Sequence, residues 1–434
     1  MRSPRSARTS SSASAPRSSG SAEETTASDR TSRRFQDPII EDVFLHDRPD
    51  DRDRVGSAAR SLPRHAGRPG ERTSAYRRAR RRQTGPAGAF WDRYSEGTQA
   101  ERRPVESRGP DRGRSNRRSG RHRARVTLFL SESDVQGLLS PDDAVQAVEG
   151  SFLRMAAGVV EIAPRRRLRL HEGRLADMAA SDLELGYAGA KVYAGFAEGA
   201  AFVFALFAVD RPELVAVIEA DQLGRLRTGA ASAVAAKHLA REGAMSLGVI
   251  GCGDQAVTQV ACIRAALPAL DRVVAYCRTE RNLLAFCDRV GAEPAESNRE
   301  AAEQDIVVTI TTTRDPVLRG EWLRPGALVC AVGANMPAAR ELDNVVLERA
   351  SFVCCDWKEQ ARIESADLIE PIQQGVLDWL EVHELHEVVA AELPGRQSPD
   401  DIVVFKSNGI AAWDVAVAAA VVERARERGV GTEL

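Results

Sequence analysis

Hydrophobic and polar positions change rhythm at about residue 126. Before it, apolar residues are scattered singly among Ser, Arg, Gly and Pro. After it, regular patterns begin. Val126-Thr-Leu-Phe-Leu130 predicts a strand. Ser140-Pro-Asp-Asp143 predicts a helix start, with Ser as N-cap, Pro in the first turn and acids at the positive end of the dipole. That helix is expected to run to about Ala157. Strands are expected around Arg165–Leu170, Leu175–Ala179, Ala188–Ala194, Ala201–Val209 and Leu214–Glu219, then a helix from about Asp221 to Ala240. A second block opens at Ser246, with strands at Val273–Tyr276, Ile306–Thr311, Ala327–Val332 and Phe352–Cys355. The chain closes on a strand, Ile402–Phe405, a glycine turn and a long helix, Gly409–Arg428. Because the second block lies in the middle, the end of the chain is expected to return to the first.

The second block opens on Ser-Leu-Gly-Val-Ile-Gly-Cys-Gly-Asp-Gln-Ala, residues 246–256. An apolar run, Leu247 to Ile250, meets Gly251-x-Gly253-x-x-Ala256. A helix-like segment to Leu267, an apolar run and a second helix-like stretch follow. This strand–turn–helix–strand context is that of a dinucleotide-binding unit. Gly251 allows the tight turn, Gly253 lets the backbone approach a pyrophosphate, and Ala256 keeps helix and sheet close. The helix N-terminus offers amides to phosphates. An acid at the end of the second strand would bind ribose hydroxyls and repel a 2′-phosphate. Here Tyr276-Cys277-Arg278-Thr279 has none before Glu280, so Arg278 and Thr279 point to NADP, with NAD as the other option.

Charge divides the 434 residues into unlike parts. Residues 1–125 hold thirty Arg, no Lys, no Cys and sixteen acids, a formal +14; the remainder carries −16. The basic part has too little apolar surface to fold and is expected to be a disordered extension, dispensable to the folded part. It carries no folded nucleic-acid motif and no interleaved aromatics, so nucleic acid is not the expected partner. All seven Cys lie after residue 126, at 252, 262, 277, 287, 330, 354 and 355, with no C-x-x-C pair. Free thiols in a reducing cytoplasm are expected, with neither disulfides nor a metal site. The longest apolar run, Ala200 to Val209, is too short to cross a membrane, and no signal peptide is evident.

Three further groups carry chemistry. Arg165-Arg166-Arg167-x-Arg169, Lys191 and Arg227 form a basic set suited to a carboxylate, since Arg pairs carboxylates through two prongs and a desolvated Lys can move a proton. Alternation along a strand should turn only part of the Arg cluster inward. Lys191 is the only Lys before position 237 and sits in apolar surroundings, Tyr187-Ala-Gly-Ala-Lys-Val-Tyr193. Arg227-Thr228-Gly229-Ala230-Ala231-Ser232 is a small-residue stretch that packing alone would also explain. Lys406-Ser407-Asn408-Gly409, with Asp414 beyond, is either a ligand turn or a connection.

Together these residues resemble the ornithine cyclodeaminase / mu-crystallin family over essentially all of residues 126–434. The matching positions are Pro164-Arg165, Lys191-Val192, Arg227-Thr228-Gly229-Ala230-Ala231, Gly251-x-Gly253-x-Gln255-Ala256, Arg340-Glu341-Leu342-Asp343 and Lys406-Ser407-x-Gly409-x-x-x-x-Asp414. The resemblance implies an α/β chain in which a Rossmann domain, 246–399, is inserted into a mixed α+β substrate-binding and dimerisation domain, 126–245 with 400–434. It also implies a homodimer, and a small amino or imino acid whose carboxylate is surrounded by Arg165, Lys191 and Arg227. The cofactor would meet Thr228, Gly251, Gly253, Asp254, Gln255, Ala256, Arg278, Thr279, Thr311, Gly333 and Ser407. Residues 1–125 have no counterpart in the family.

One departure redirects the expected activity. Family cyclodeaminases, and some of the family's dehydrogenases, carry an Asp in the segment that here reads Val332-Gly333-Ala334-Asn335-Met336-Pro337. Asn335 cannot take a proton as a carboxylate does. The expected activity is therefore an NAD(P)-dependent imine reductase or amino-acid dehydrogenase with Lys191 as proton relay. Ornithine cyclodeamination and a non-catalytic, crystallin-like binding protein are the alternatives.

Overall fold

The computed structural model describes residues 126–434. The Arg-rich extension, and the expectation that it is disordered, lie outside the described residues. The first part comprises β1 (Leu128–Leu130), α1 (Glu132–Leu138), α2 (Pro141–Ala156), β2 (Val160–Arg169), β3 (Gly173–Asp182), β4 (Tyr187–Phe196), β5 (Gly199–Ala208), β6 (Leu214–Glu219) and α3 (Asp221–Leu239). The middle comprises β7 (Ser246–Ile250), α4 (Asp254–Ala266), β8 (Arg272–Tyr276), α5 (Glu280–Val290), β9 (Glu293–Pro294), α6 (Asn298–Ala302), β10 (Ile306–Thr309) and β11 (Leu328–Ala331). It continues through α7 (Asn344–Glu348), β12 (Ala350–Cys355), α8 (Lys358–Glu364), α9 (Ala366–Gln373), β13 (Val382–Glu384) and α10 (Leu385–Val389). The end is β14 (Ile402–Lys406), α11 (Ala411–Arg428) and β15 (Thr432–Glu433).

Two sheets result. The first has seven strands in the order β15-β1-β6-β5-β4-β3-β2, where β2 to β6 form an antiparallel meander. Its inner face, including Met178, Ala180, Phe204 and Leu206, is buried in the same core as α2, α3 and α11. Phe152 of α2 meets Trp413 of α11 edge to face at 5.4 Å. The second sheet has eight parallel strands, β13-β12-β14-β11-β10-β7-β8-β9. Its order reverses between β7 and β10, the place where open α/β sheets form a ligand crevice.

The boundaries differ from the sequence reading in instructive places. Strand β14 joins the parallel sheet between β11 and β12, so the chain returns to the first part only after Lys406, not at residue 400. Its Val-Val-Phe run is buried on both faces, which a parallel sheet requires. Helix α1 was not expected, although Ser131 and Asp134 form a reciprocal capping box at its start. The equivalent box at Ser140 and Asp143 opens α2 with Pro141 in its first turn. In β2 the pairing shifts between Ala163 and Arg166, where Pro164 has no amide to donate.

Candidate active site

Alternation along β4 puts Lys191 on the inner face and Val192 outside. Lys191 Nζ lies 3.3 Å from Asp414 Oδ1. Arg227 Nε, from α3, reaches the same oxygen at 3.3 Å. All three groups are withdrawn from water, with Lys191 4%, Arg227 7% and Asp414 0% exposed. The second oxygen of Asp414 has no hydrogen-bond partner among the described residues. Burial lowers the Lys191 pKa below its ordinary 10.5; Asp414 opposes that shift and Arg227 reinforces it. Lys191 also lies 5.2 Å from the centre of the Phe202 ring, and the Arg227 guanidinium 5.8 Å from that of Trp413.

Two glycines make room for these cations. A side chain at Gly224 would stand 2.4 Å from Lys191 Nζ. Gly409, at φ +77°, would place a Cβ 2.4 Å from Arg227 Nη1. It therefore serves both the left-handed turn and the close approach.

The arginine cluster divides as β alternation demands. Arg166 points outward to Asp177 at 2.8 Å. Arg165 and Arg167 both reach the buried Glu364 carboxylate of α8, at 2.6 and 2.5 Å. Arg165 Nη2 also donates to the carbonyls of Asn408 and Gly409, each at 2.9 Å, while its Nε has no partner among the described residues. Arg167 donates to the Asn335 carbonyl at 2.9 Å. Arg165 is thus largely committed to protein partners, whereas the terminal nitrogens of Arg227 have none among the described residues.

The crossing from β14 to α11 is held by Asp356, at the end of β12. Its Oδ2 accepts the amides of Asn408 and Gly409 at 2.7 and 2.6 Å, and the Ser407 hydroxyl at 3.3 Å. Burial pushes the Asp356 carboxyl above its usual value. Before the crossing, Lys406 pairs with the buried Asp367 at 3.0 Å and donates to the Ala334 carbonyl at 2.5 Å.

The glycine turn lies at the end of β7. Gly251 has φ +111°, and its Cβ would stand 2.3 Å from the Ile310 carbonyl oxygen. Nothing lies within 4 Å of a Cβ built on Gly253, so that backbone is open to a ligand. Ala256 is fully buried under the sheet. The first amides of α4 have no intrahelical partner, and Gln255 Oε1 has no partner among the described residues. Asp254 is instead occupied by Arg225 and Arg289, at 2.8 and 3.0 Å. Arg278 and Thr279 are exposed at the end of β8. Arg278 makes no ion pair among the described residues, and the Thr279 hydroxyl does not cap α5.

The two neighbouring loops are tied by a residue whose role the sequence did not disclose. Buried Glu341 accepts the Thr311 amide and hydroxyl at 2.7 and 2.9 Å, and the Gly333 and Ala334 amides at 2.7 and 3.1 Å. Thr311 and Gly333 are therefore brought together by one carboxylate. Ser407 and Thr228 turn their hydroxyls inward, to Asp356 and to the Gly224 carbonyl at 2.8 Å.

Helix α3 joins the halves of the site. One side carries Arg227 to Asp414. On another, Gly229 would place a Cβ 2.4 Å from the Thr258 carbonyl of α4, and Arg225 pairs with Asp254. The small-residue stretch thus serves close helix packing. Glu364 and Asp356 were missed by the sequence reading, while Asp414 and Glu341 stood in its motifs without a role of their own. Asp414 gave the clearest signal, a charge inside the apolar run Ala411-Ala-Trp-Asp-Val-Ala.

The chain is similar to known proteins over nearly all of its described residues. The alanine dehydrogenase of Archaeoglobus fulgidus is 36% identical over 323 residues, 71% of this chain and 98% of that protein. A solved archaeal alanine dehydrogenase dimer with bound NAD superposes with a TM-score of 0.67 at 33% identity, covering 71% of this chain and 98% of the other. The Thermococcus litoralis Delta(1)-pyrroline-2-carboxylate reductase, solved with NADH and L-proline, gives 0.66 at 32% identity, covering 71% of this chain and all of that one (100%). The profile of the ornithine cyclodeaminase/mu-crystallin family matches residues 125–429, and the chain belongs to that family.

Proposed function

We propose that this protein is an NAD(P)-dependent oxidoreductase of a small α-amino or α-imino acid, working as an imine reductase or amino-acid dehydrogenase. The observation that carries the reading is the buried Lys191–Asp414–Arg227 triad, joined through α3 to the glycine turn. The residues of that turn fit a dinucleotide: Gly253 faces open space, and the α4 amides are free to meet a pyrophosphate. Gly251, Gly253, Gln255 and Ala256 would hold it, with Thr311 and Gly333 at the adjoining strand ends. The nicotinamide, when bound, supplies the hydride chemistry.

The chain's own residues supply binding, orientation and a proton. Arg227 takes the substrate carboxylate on its free terminal nitrogens, with Arg165 beside it. Asp414 holds Lys191 and Arg227 in fixed relation, so carboxylate and proton donor keep one geometry. Lys191, its pKa lowered by burial, passes a proton to or from the substrate nitrogen. Asn335, whose side chain makes no hydrogen bond among the described residues, offers no carboxylate to activate the amine of ornithine.

The deciding experiment follows NADPH and NADH absorbance with cyclic and acyclic imino acids, alongside ammonia release from ornithine with NAD. Oxidation of the reduced cofactor by an imino acid, with little ammonia from ornithine, is expected. Robust conversion of ornithine to proline would restore the cyclodeaminase reading. Cofactor binding with no turnover across the panel would make the chain a binding protein.

We also propose a homodimer through the outer face of the first sheet. Val192, Phe196, Val203 and Phe207 are exposed there, and Val192 lies directly opposite Val203. A contiguous apolar face of this kind on a soluble chain calls for a partner surface.

A further inference from the structure

Glu364 takes no part in the chemistry above, although it is 1% exposed and lies where the two halves of the chain meet. Gln360, four residues earlier and also 1% exposed, shares its face of α8. Opposite them, Arg165 and Arg167 stand two residues apart on β2 and so point the same way. Glu364 Oε1 accepts Arg165 Nη1 at 2.6 Å and Gln360 Nε2 at 2.7 Å. Its Oε2 accepts Arg167 Nη1 at 2.5 Å. Both carboxylate oxygens are thus engaged.

Two arms leave this hub. Along the first, Arg165 Nη2 and Gln360 Nε2 both donate to the Gly409 carbonyl, at 2.9 and 2.8 Å. Gly409 in turn lies against Arg227, because a Cβ built on it would stand 2.4 Å from Nη1 of that residue. Along the second, Arg167 Nη2 donates to the Asn335 carbonyl at 2.9 Å. Asn335 directly follows Gly333 and Ala334, whose amides Glu341 holds. One carboxylate therefore reaches Arg227 on one side and the loop after β11 on the other.

We propose that Glu364 is a positioning residue that fixes the guanidinium of Arg227 relative to the loop 333–335. It acts through Arg165, Gln360 and the Gly409 peptide on one arm, and through Arg167 on the other. The proposal rests on the reading of Arg227 as the holder of the substrate carboxylate. Its charge is what matters, because two guanidiniums meet on it and the Arg165 side chain is 3% exposed. Without that charge, like charges face each other away from water. Arg165 then leaves the Gly409 carbonyl, and the peptide slackens against Arg227. The substrate loses its fixed place beside the nicotinamide, and a displacement of about 1 Å is enough to cost rate.

The test compares Glu364→Gln and Glu364→Asp with the parent in the full chain. The probes are NADH and the imino acid of the panel above that the parent reduces fastest, with 1-pyrroline-2-carboxylate tried first. Glu364→Gln should raise the KM of the imino acid at least tenfold and lower kcat, while the Kd for NADH stays within threefold. Glu364→Asp, which keeps the charge on a shorter arm, should fall between Glu364→Gln and the parent. In an Arg227→Lys background, Glu364→Gln should raise KM less than threefold further, because the two residues act in series. An unchanged KM in folded Glu364→Gln overturns the proposal, as does a full tenfold rise in the Arg227→Lys background. NADH affinity falling in step with KM also overturns it, since that marks a general loosening. Failure of both Glu364 variants to fold makes the residue purely structural and overturns it as well. A parent protein inert towards every imino acid is a separate result, which removes the functional reading and the inference with it.

Discussion

Lys191 combines two conditions that seldom coexist in one side chain: deep burial and a charged partner shared with a second cation. Asp414 is that partner, one oxygen serving both Lys191 and Arg227. Replacing Lys191 by Met should lower kcat by about 10²–10⁴-fold, the usual worth of a positioned proton donor, with little change in cofactor affinity. Arg227→Lys should mainly raise the apparent KM, because a point charge cannot reproduce the two-pronged contact. The sign of the pH dependence follows from the lowered Lys191 pKa. As pH rises through that value the ammonium form is lost. Imine reduction, which needs the proton, should therefore decline below the usual lysine range, while the oxidative direction should gain. Steady-state rates in both directions across pH would check this. At β8, Arg278→Ala should narrow a preference for NADPH over NADH by roughly ten- to a hundredfold, or about 1.5–3 kcal/mol for one charge-assisted contact. Equal affinities in the parent protein would remove the basis for assigning Arg278 to a 2′-phosphate.

At the scale of elements, loops are set by carboxylates reached from far along the chain. Glu341 ties the loops after β10 and β11, where Gly333 would place a Cβ 2.3 Å from the Thr311 amide nitrogen. Gly333→Ala should destabilise the fold by about 1–3 kcal/mol as a rigid overpacking, read as a fall in Tm, and should weaken dinucleotide binding as the loops part. Much of the element pattern was legible in the sequence. Capping residues announce α2, the strand–glycine–helix sequence announces β7 to α4, and alternation in β4 isolates Lys191 from its apolar neighbours. What escaped is non-local. Nothing around position 341 says that its carboxylate lies under residues 311 and 333, and nothing near 414 names Lys191 as its partner. The run 402–406 reads as a strand, but which sheet admits it is decided by packing rather than by its own residues.

For the whole molecule, the family profile begins at residue 125. A protein lacking residues 1–125 should fold, dimerise and retain activity. Placing a charge on the outer sheet face by Phe207→Asp or Val203→Lys should shift the particle to a monomer in sedimentation or light scattering, with the Rossmann half still binding NADH. A parent protein that is already monomeric at micromolar concentration would contradict the interface.

The crossing between the two halves bears on a quantity of another kind, the lifetime of backbone protons. The amides of Asn408 and Gly409 both end on the buried Asp356 carboxylate, and the carbonyls of the same two residues end on Arg165. Deuterium can enter there only when the sheet and α11 part, not by fraying of a loop. A connection between domains, ordinarily among the fastest segments to exchange, should here be among the slowest. If the proposed substrate binds beside Arg165 and Arg227, this turn keeps its shape in the empty protein, and binding has little left to order.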